Sequence, residues 1–232
     1  MAFRSKQQSK KSNNRTLITH INSKSPISEQ YKTIRTNIQF SSLDEDIRSL
    51  VVTSSGPGEG KSTTVGNLAV VFAQQGKRVL LIDADMRKPT AHYTFRKDNI
   101  TGLTNVLTRQ AALDKAVSET DIENLYILTS GPIPPNPAEL LSSHAMDELL
   151  ESAMHHFDMV LFDTPPVLAV TDAQILASKC NGTILVVKSN YTATDAAVKA
   201  KELLSAAQAK LLGVVLNAKK LKESNYYYYY GK

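Results

Sequence analysis

The stretch Leu50-Val51-Val52-Thr53-Ser54-Ser55-Gly56-Pro57-Gly58-Glu59-Gly60-Lys61-Ser62 changes character twice: an aliphatic run, a glycine-rich loop, then Lys-Ser at the head of a helix-period segment. Strand, Gly-rich loop and helix in that order are the setting of a phosphate-binding P-loop. The glycines let backbone amides turn inward, and the helix offers its own N–H groups and positive dipole end to the same anion. In this pattern Lys61 reaches the β and γ phosphates and Ser62 offers its hydroxyl oxygen to Mg²⁺. Gly56, Gly58, Glu59, Gly60, Lys61, Ser62 and Thr63 are therefore the candidate ATP-binding residues. The first position of the usual G-x-x-x-x-G-K-[ST] pattern is Ser55, a mild departure.

Similar runs recur on either side. Val79-Leu80-Leu81-Ile82, Tyr126-Ile127-Leu128, Met159-Val160-Leu161-Phe162, Thr183-Ile184-Leu185-Val186-Val187 and Gly213-Val214-Val215-Leu216 are mostly apolar throughout rather than alternating. Strands covered by helices on both faces read this way. Helix-period stretches lie between them at about 61–75, closed by Gly76, and at about 143–156 and 193–208. Ahead of the first strand, Ser28 offers an N-cap to a helix carrying Ile27, Tyr31, Ile34 and Ile38 on one face. The order predicts an α/β domain over residues 26–220, a doubly wound, mostly parallel sheet of P-loop NTPase architecture, with ligands at the carboxyl ends of the strands.

Two acidic segments end strands that should lie on the P-loop's edge. Asp163-Thr164-Pro165-Pro166 follows Met159 to Phe162, and a carboxylate there can hold Mg²⁺ through water, although Asp and Pro also favour plain turns. Asp83-Ala84-Asp85-Met86-Arg87-Lys88-Pro89 follows the run from Val79 to Ile82. Further acid near Mg²⁺ and triphosphate is costly unless it binds the cation or accepts a proton. Asp83 and Asp85 are thus candidates for metal coordination and for general base toward an attacking hydroxyl, with solvated loop acids as the plainer reading.

The ends and the composition set bounds. Residues 1–15 hold Arg4, Lys6, Lys10, Lys11 and Arg15 with no acid, and those five equal the whole excess of 27 basic over 22 acidic residues. The remainder is neutral, so nucleic acid is not expected as the main ligand; residues 1–25 read as a basic, flexible tail. A single cysteine, Cys180, excludes an internal disulfide framework and suits a reducing compartment. No run of about eighteen apolar residues predicts a membrane span. Residues 221–232 form a second tail in which five of the nine tyrosines, Tyr226 to Tyr230, stand consecutively. Five adjacent tyrosines in a polar setting suit mobile hydroxyl nucleophiles better than packing.

Lys61-Ser62, the Asp83-Ala84-Asp85-Met86-Arg87 segment and Asp163-Thr164-Pro165-Pro166 together resemble the Walker A, A′ and B motifs of bacterial tyrosine kinases, the autokinases of capsule and exopolysaccharide export. The segment from Ser130 to Leu141 and the tyrosine cluster match that family as well, and the likeness spans about residues 28 to 232. The resemblance implies Lys61 on the phosphates of ATP, with Ser62, Asp85 and Asp163 at Mg²⁺. It also implies Asp83 as the base, Asn217 as an adenine reader, and Tyr226, Tyr227, Tyr228, Tyr229 and Tyr230 as phosphoacceptors used between copies. Glu29, Lys32 and Arg35 resemble the family's E-x-x-R-x-x-R oligomerisation motif, with Lys32 replacing an arginine's two-pronged contact by a point charge. The partners so implied are a homo-oligomeric ring, the cytoplasmic tail of a transmembrane activator or polysaccharide co-polymerase, a tyrosine phosphatase and other protein substrates. The expected location is the cytoplasm, at the inner face of the membrane through the activator.

Two rivals remain open at this point. A MinD- or ParA-like positioning or partition ATPase shares the sheet, but that branch carries a lysine where Gly56 stands, and Lys219 to Lys232 has no apolar stripe for a membrane helix. A non-enzymatic nucleotide-dependent adaptor would not need Lys61, Asp83, Asp85 and Asp163 intact. The eukaryotic kinase signatures, His-Arg-Asp and Asp-Phe-Gly, are absent.

Overall fold

The computed structural model describes residues 17–41 and 46–220. The basic run of residues 1–15 and the tyrosine cluster Tyr226 to Tyr230 lie outside them. Seven strands form one sheet: β1 (Ser49–Ser54), β2 (Val79–Asp83), β3 (Ser118–Glu119), β4 (Leu125–Leu128), β5 (Met159–Asp163), β6 (Gly182–Lys188) and β7 (Leu211–Asn217). Their spatial order is β3-β4-β2-β5-β1-β6-β7. All neighbours run parallel except β3 and β4. The doubly wound, mostly parallel expectation holds, with a short antiparallel edge added.

The helices are α1 (Ile18–Ile21), α2 (Pro26–Phe40), α3 (Lys61–Ala73), α4 (Ala91–Phe95), α5 (Leu103–Leu107), α6 (Leu113–Ala116), α7 (Pro137–Ser142), α8 (His144–His156), α9 (Asp172–Lys179) and α10 (Thr194–Ala206). Two cores fill the faces of the sheet. Leu50, Val52, Leu81, Leu161, Ile184 and Val186 pack with α2 and α3 on one face; Val51, Leu80, Ile82, Val160, Phe162 and Leu185 pack with α8, α9 and α10 on the other. Successive strand residues point to opposite cores, so a doubly covered strand needs apolar residues at every position. The exceptions are the edge strands: β3 is polar and exposed, and in β7 Val214 and Leu216 are exposed. Burial pushes the Cys180 thiol up to about 12, as a packing residue requires.

The N-terminal boundary differs from the sequence reading, which gave residues 1–25 to a tail. Residues 17–25 are docked on α3: Thr19 is fully buried, its N–H donates to Asn67 Oδ1 at 3.0 Å, and its hydroxyl donates to the same oxygen at 2.8 Å. Gln74 Nε2 donates back to the Thr19 carbonyl at 3.0 Å. A four-residue helix held by such long-range bonds has no periodic stripe to reveal it. The cap of α2 also shifts: Pro26 occupies its first turn, where a missing N–H costs nothing. Ser25, not Ser28, is the N-cap, its side chain accepting from the Ser28 N–H. Of the expected stripe, Tyr31 and Ile38 are buried while Ile27 is exposed. Among the described residues no helix is long and apolar enough to cross a membrane.

Candidate active site

The P-loop, residues 55–60, joins β1 to α3 at the carboxyl edge of the sheet. Gly58 (φ 77°) and Gly60 (φ 98°) both sit in the left-handed region that favours glycine. Gly60 is doubly constrained, because a Cβ there would fall 2.0 Å from Asn217 Nδ2. No side chain caps α3. Its first turn therefore presents N–H groups and the positive dipole end toward the loop, as an anion site requires. Ser62 and Thr63 belong to that turn.

The loop is held from behind. Glu59 is buried and turns inward, accepting from the Ser55 N–H at 2.9 Å and the Thr192 hydroxyl at 2.7 Å. Its carboxylate is thus a strut, and only its backbone belongs to the phosphate cradle. Asn217, expected to read adenine, ends β7 beside the loop. It donates from Nδ2 to the Glu59 carbonyl at 2.9 Å, while its Oδ1 accepts from the Ala218 N–H at 2.8 Å. Thr192 carried no signal in the sequence, since it lies 133 residues from the glutamate it holds.

Three of the four expected catalytic side chains meet directly. Lys61 Nζ lies 3.1 Å from Asp85 Oδ2 and 3.1 Å from Asp163 Oδ1. It also lies 3.3 Å from Ser62 Oγ. Parallel pairing of β2 with β5 sets Asp83 opposite Asp163, and the Ala84 N–H donates to the Asp163 carbonyl at 2.9 Å. The A′ and B segments therefore meet the lysine as one unit. Burial alone pulls the Lys61 ammonium down, but Asp163 and Asp85 outweigh it and hold the group above its ordinary value.

Asp83 is the fourth. Its carboxyl group is fully buried; Oδ2 accepts from the N–H groups of Thr90 and Ala91, both at 2.9 Å, and Oδ1 from that of Asp85 at 3.3 Å. Burial, then the like charge of Asp163 on the adjacent strand, push this group up to about 7 against the pull of those amides and Lys61. A carboxyl that binds its proton more tightly when folded costs stability above about pH 7 and ceases to do so as the pH falls toward the ordinary carboxylate range. Asp83→Asn in the nucleotide-free protein should therefore change the melting temperature more favourably at pH 8 than at pH 5. A scanning-calorimetry difference from wild type that stays constant across that range would refute the assignment.

The donor set fits a magnesium nucleotide. The side chains are hard oxygen donors, and three carboxylates against one lysine leave surplus negative charge beside an amide cradle. No group of three or more His, Cys, Asp or Glu forms a metal cage among the described residues. Mg²⁺ is usually held by one or two carboxylates together with water and substrate phosphates. Beyond the expected residues, Arg87 forms a two-pronged ion pair with Asp172, at 3.0 Å from Nε to Oδ2 and 3.1 Å from Nη2 to Oδ1. Asp172 had no signal in the sequence. The three residues expected to serve oligomerisation lie on α2: Glu29 and Lys32 pair with each other at 2.7 Å, and Arg35 Nη1 donates to the Val71 carbonyl of α3 at 2.8 Å.

Comparison with known proteins identifies the family. Residues 47–212 match the family model described as an AAA domain. The tyrosine-protein kinase YwqD of Bacillus subtilis is 55% identical over 217 residues, covering 94% of this chain and 92% of that protein. The crystal structure of the chimerical protein CapA2B2 superposes with a TM-score of 0.86 at 46% identity, covering 88% of this chain and 90% of that one. The septum site-determining protein MinD from Pyrococcus horikoshii, solved with Mg-ADP, shares the fold at a TM-score of 0.63 and 26% identity, over 76% of this chain and 72% of its own. The likeness to YwqD extends over nearly the whole of both chains, and the chain belongs to the bacterial tyrosine kinases, protein-tyrosine kinases built on a P-loop ATPase sheet.

Proposed function

We propose that this kinase is a Mg²⁺·ATP-dependent autokinase whose copies phosphorylate one another's C-terminal tyrosines, Tyr226 to Tyr230. The observation that carries the reading is Lys61 bridging Asp85 and Asp163 at the mouth of the P-loop. In this scheme the ammonium is released from the two carboxylates onto the β and γ phosphates, and Ser62, Asp85 and Asp163 hold the cation. Bound there, Mg²⁺ supplies charge neutralisation of the phosphoryl oxygens. The amides of residues 56–63 orient the phosphates, and Asn217, at the end of β7 beside the loop, reads the base. Asp83, poised near neutrality, takes the proton of the incoming tyrosine hydroxyl. Reaching it requires Thr90 and Ala91 to release Oδ2.

The partner assignments rest on the sequence and the relatives. That the solved neighbour is a chimerical protein supports a two-polypeptide system, in which the cytoplasmic tail of a transmembrane co-polymerase recruits this chain to the inner membrane face. Regulation of capsule or exopolysaccharide synthesis, a ring of copies through Glu29, Lys32 and Arg35, an opposing phosphatase and further protein substrates belong to the same proposal. Each phosphate adds roughly −1.5 to −2 charge at neutral pH, so a modified tail would repel its neighbours in a ring. Transfer between copies is tested by mixing a wild-type chain truncated after residue 220 with full-length Lys61→Met protein, in the presence of the activator segment and γ-labelled ATP. Label on the inactive copy's tail is the expected result, and its absence there, with full-length wild type labelled, would restrict transfer to within one chain.

A further inference from the structure

We infer that Arg87 and Asp172 form a positioning pair for phosphoryl transfer, clamping the segment after β2 to the start of α9 and so fixing Asp85 relative to Asp163. The inference rests on the Mg²⁺·ATP reading above. Of the two carboxylates that meet Lys61, Asp163 ends β5 and Asp85 lies two residues beyond the end of β2, and each is followed by an irregular segment. Asp85 leads within two residues to Arg87, and the chain beyond Asp163 reaches Asp172 at the first turn of α9.

Between β2 and α4, Asp85 and Lys88 bond mainly within the segment itself. The Lys88 N–H donates to Asp85 Oδ1 at 3.1 Å, and the Asp85 N–H to Asp83 Oδ1 at 3.3 Å. The Ala84 N–H ties this segment to the end of β5 at Asp163, and Arg87 is the side chain that carries it on to the start of α9. Its partner has no exposed side-chain surface, while the arginine side chain is 41% exposed. A buried carboxylate needs a full counter-charge, and a planar fork meeting both oxygens fixes direction as well as distance. The arginine covers a carboxylate with no exposed side-chain surface, so its removal also costs stability, and rates are read below each variant's unfolding transition. Arg87 is also well placed to set the spacing of two loops. A misplacement of about 1 Å around reacting groups can cost on the order of 10²-fold in rate.

The test compares full-length wild type with Arg87→Met, Arg87→Lys, Asp172→Asn and the double variant Arg87→Met/Asp172→Asn. Phosphate transfer to a Glu-Tyr copolymer supplies kcat and KM for ATP, and binding of a fluorescent ATP analogue is titrated with Mg²⁺. Arg87→Met should lower kcat by roughly 30- to 100-fold with KM for ATP within about 3-fold, since positioning acts on the transition state. Arg87→Lys should recover part of the loss. The double variant should be no worse than Arg87→Met, because the two residues act as one unit. The Mg²⁺ midpoint for nucleotide binding should rise by about 10-fold in Arg87→Met, as expected when two ligands lose their fixed spacing. An unchanged kcat and Mg²⁺ midpoint would overturn the inference. So would a loss that merely follows the unfolding transition, or losses that multiply in the double variant. If wild type moves no phosphate to tyrosine, the fault lies with the kinase reading, and the Mg²⁺ titration still decides the pair.

Discussion

Lys61→Met is expected to lower phosphoryl transfer by on the order of 10³-fold and, separately, to make the nucleotide-free protein sensitive to pH. The first effect follows from removing the ammonium, now held by Asp85 and Asp163, that is proposed to move onto the phosphates. The second follows from what the lysine leaves behind. Asp85 and Asp163 are 9% and 2% exposed, so removing their shared partner strands two buried carboxylates. Breaking a buried pair from one side costs about 3 kcal/mol or more. The sign with pH is fixed by linkage. Because Lys61 is held above its ordinary value, its own contribution is complete throughout the neutral range and is lost only at strongly alkaline pH. In the variant Asp83 loses the opposing pull of Lys61 and binds its proton still more tightly when folded, so stability is lowest near pH 8 and recovers toward pH 5. Urea unfolding at both values measures this, and a loss equal at the two would show that Asp83 does not depend on Lys61.

Gly60→Ala should weaken ATP binding by about 100-fold while leaving the fold intact, a loss of roughly 2.7 kcal/mol. Two costs coincide at this residue. Its φ of 98° is strained for any side chain, and the added Cβ would lie 2.0 Å from Asn217 Nδ2. The asparagine side chain must swing away and give up its bond to the Glu59 carbonyl. That bond joins the loop to the end of β7, so the amide cradle loses one of its supports. Titration with a fluorescent ATP analogue measures the change. Affinity within about 3-fold of wild type would mean that the loop tolerates a different backbone path.

The strands and the long helices were legible because each rests on a dense, local pattern. The run from Leu50 to Val52 is apolar at every position, and the structure buries it on both faces. Lys61, Asp85 and Asp163 were legible for a related reason: each stands where a strand ends or a helix begins, and a parallel sheet collects those ends along one edge. What escaped was short or held at long range. Two residues make β3 and four make α1, too few to show a period. Thr192 and Asp172 act through partners 133 and 85 residues away, and nothing beside either residue announces the contact. Glu59 and Asn217 were legible as members of the site, but not as the braces that hold the loop in this structure.

Intact-mass and peptide mass spectrometry of the full-length protein, incubated with Mg²⁺·ATP and the cytoplasmic segment of the proposed activator, is the most direct trial of the proposed autokinase reaction. Phosphate should accumulate on Tyr226 to Tyr230, in several steps of one phosphoryl group, and none should appear on Lys61→Met incubated alone. Steady release of inorganic phosphate from wild type, with the tyrosine peptide unmodified, would contradict it and leave a P-loop ATPase that delivers phosphate to water.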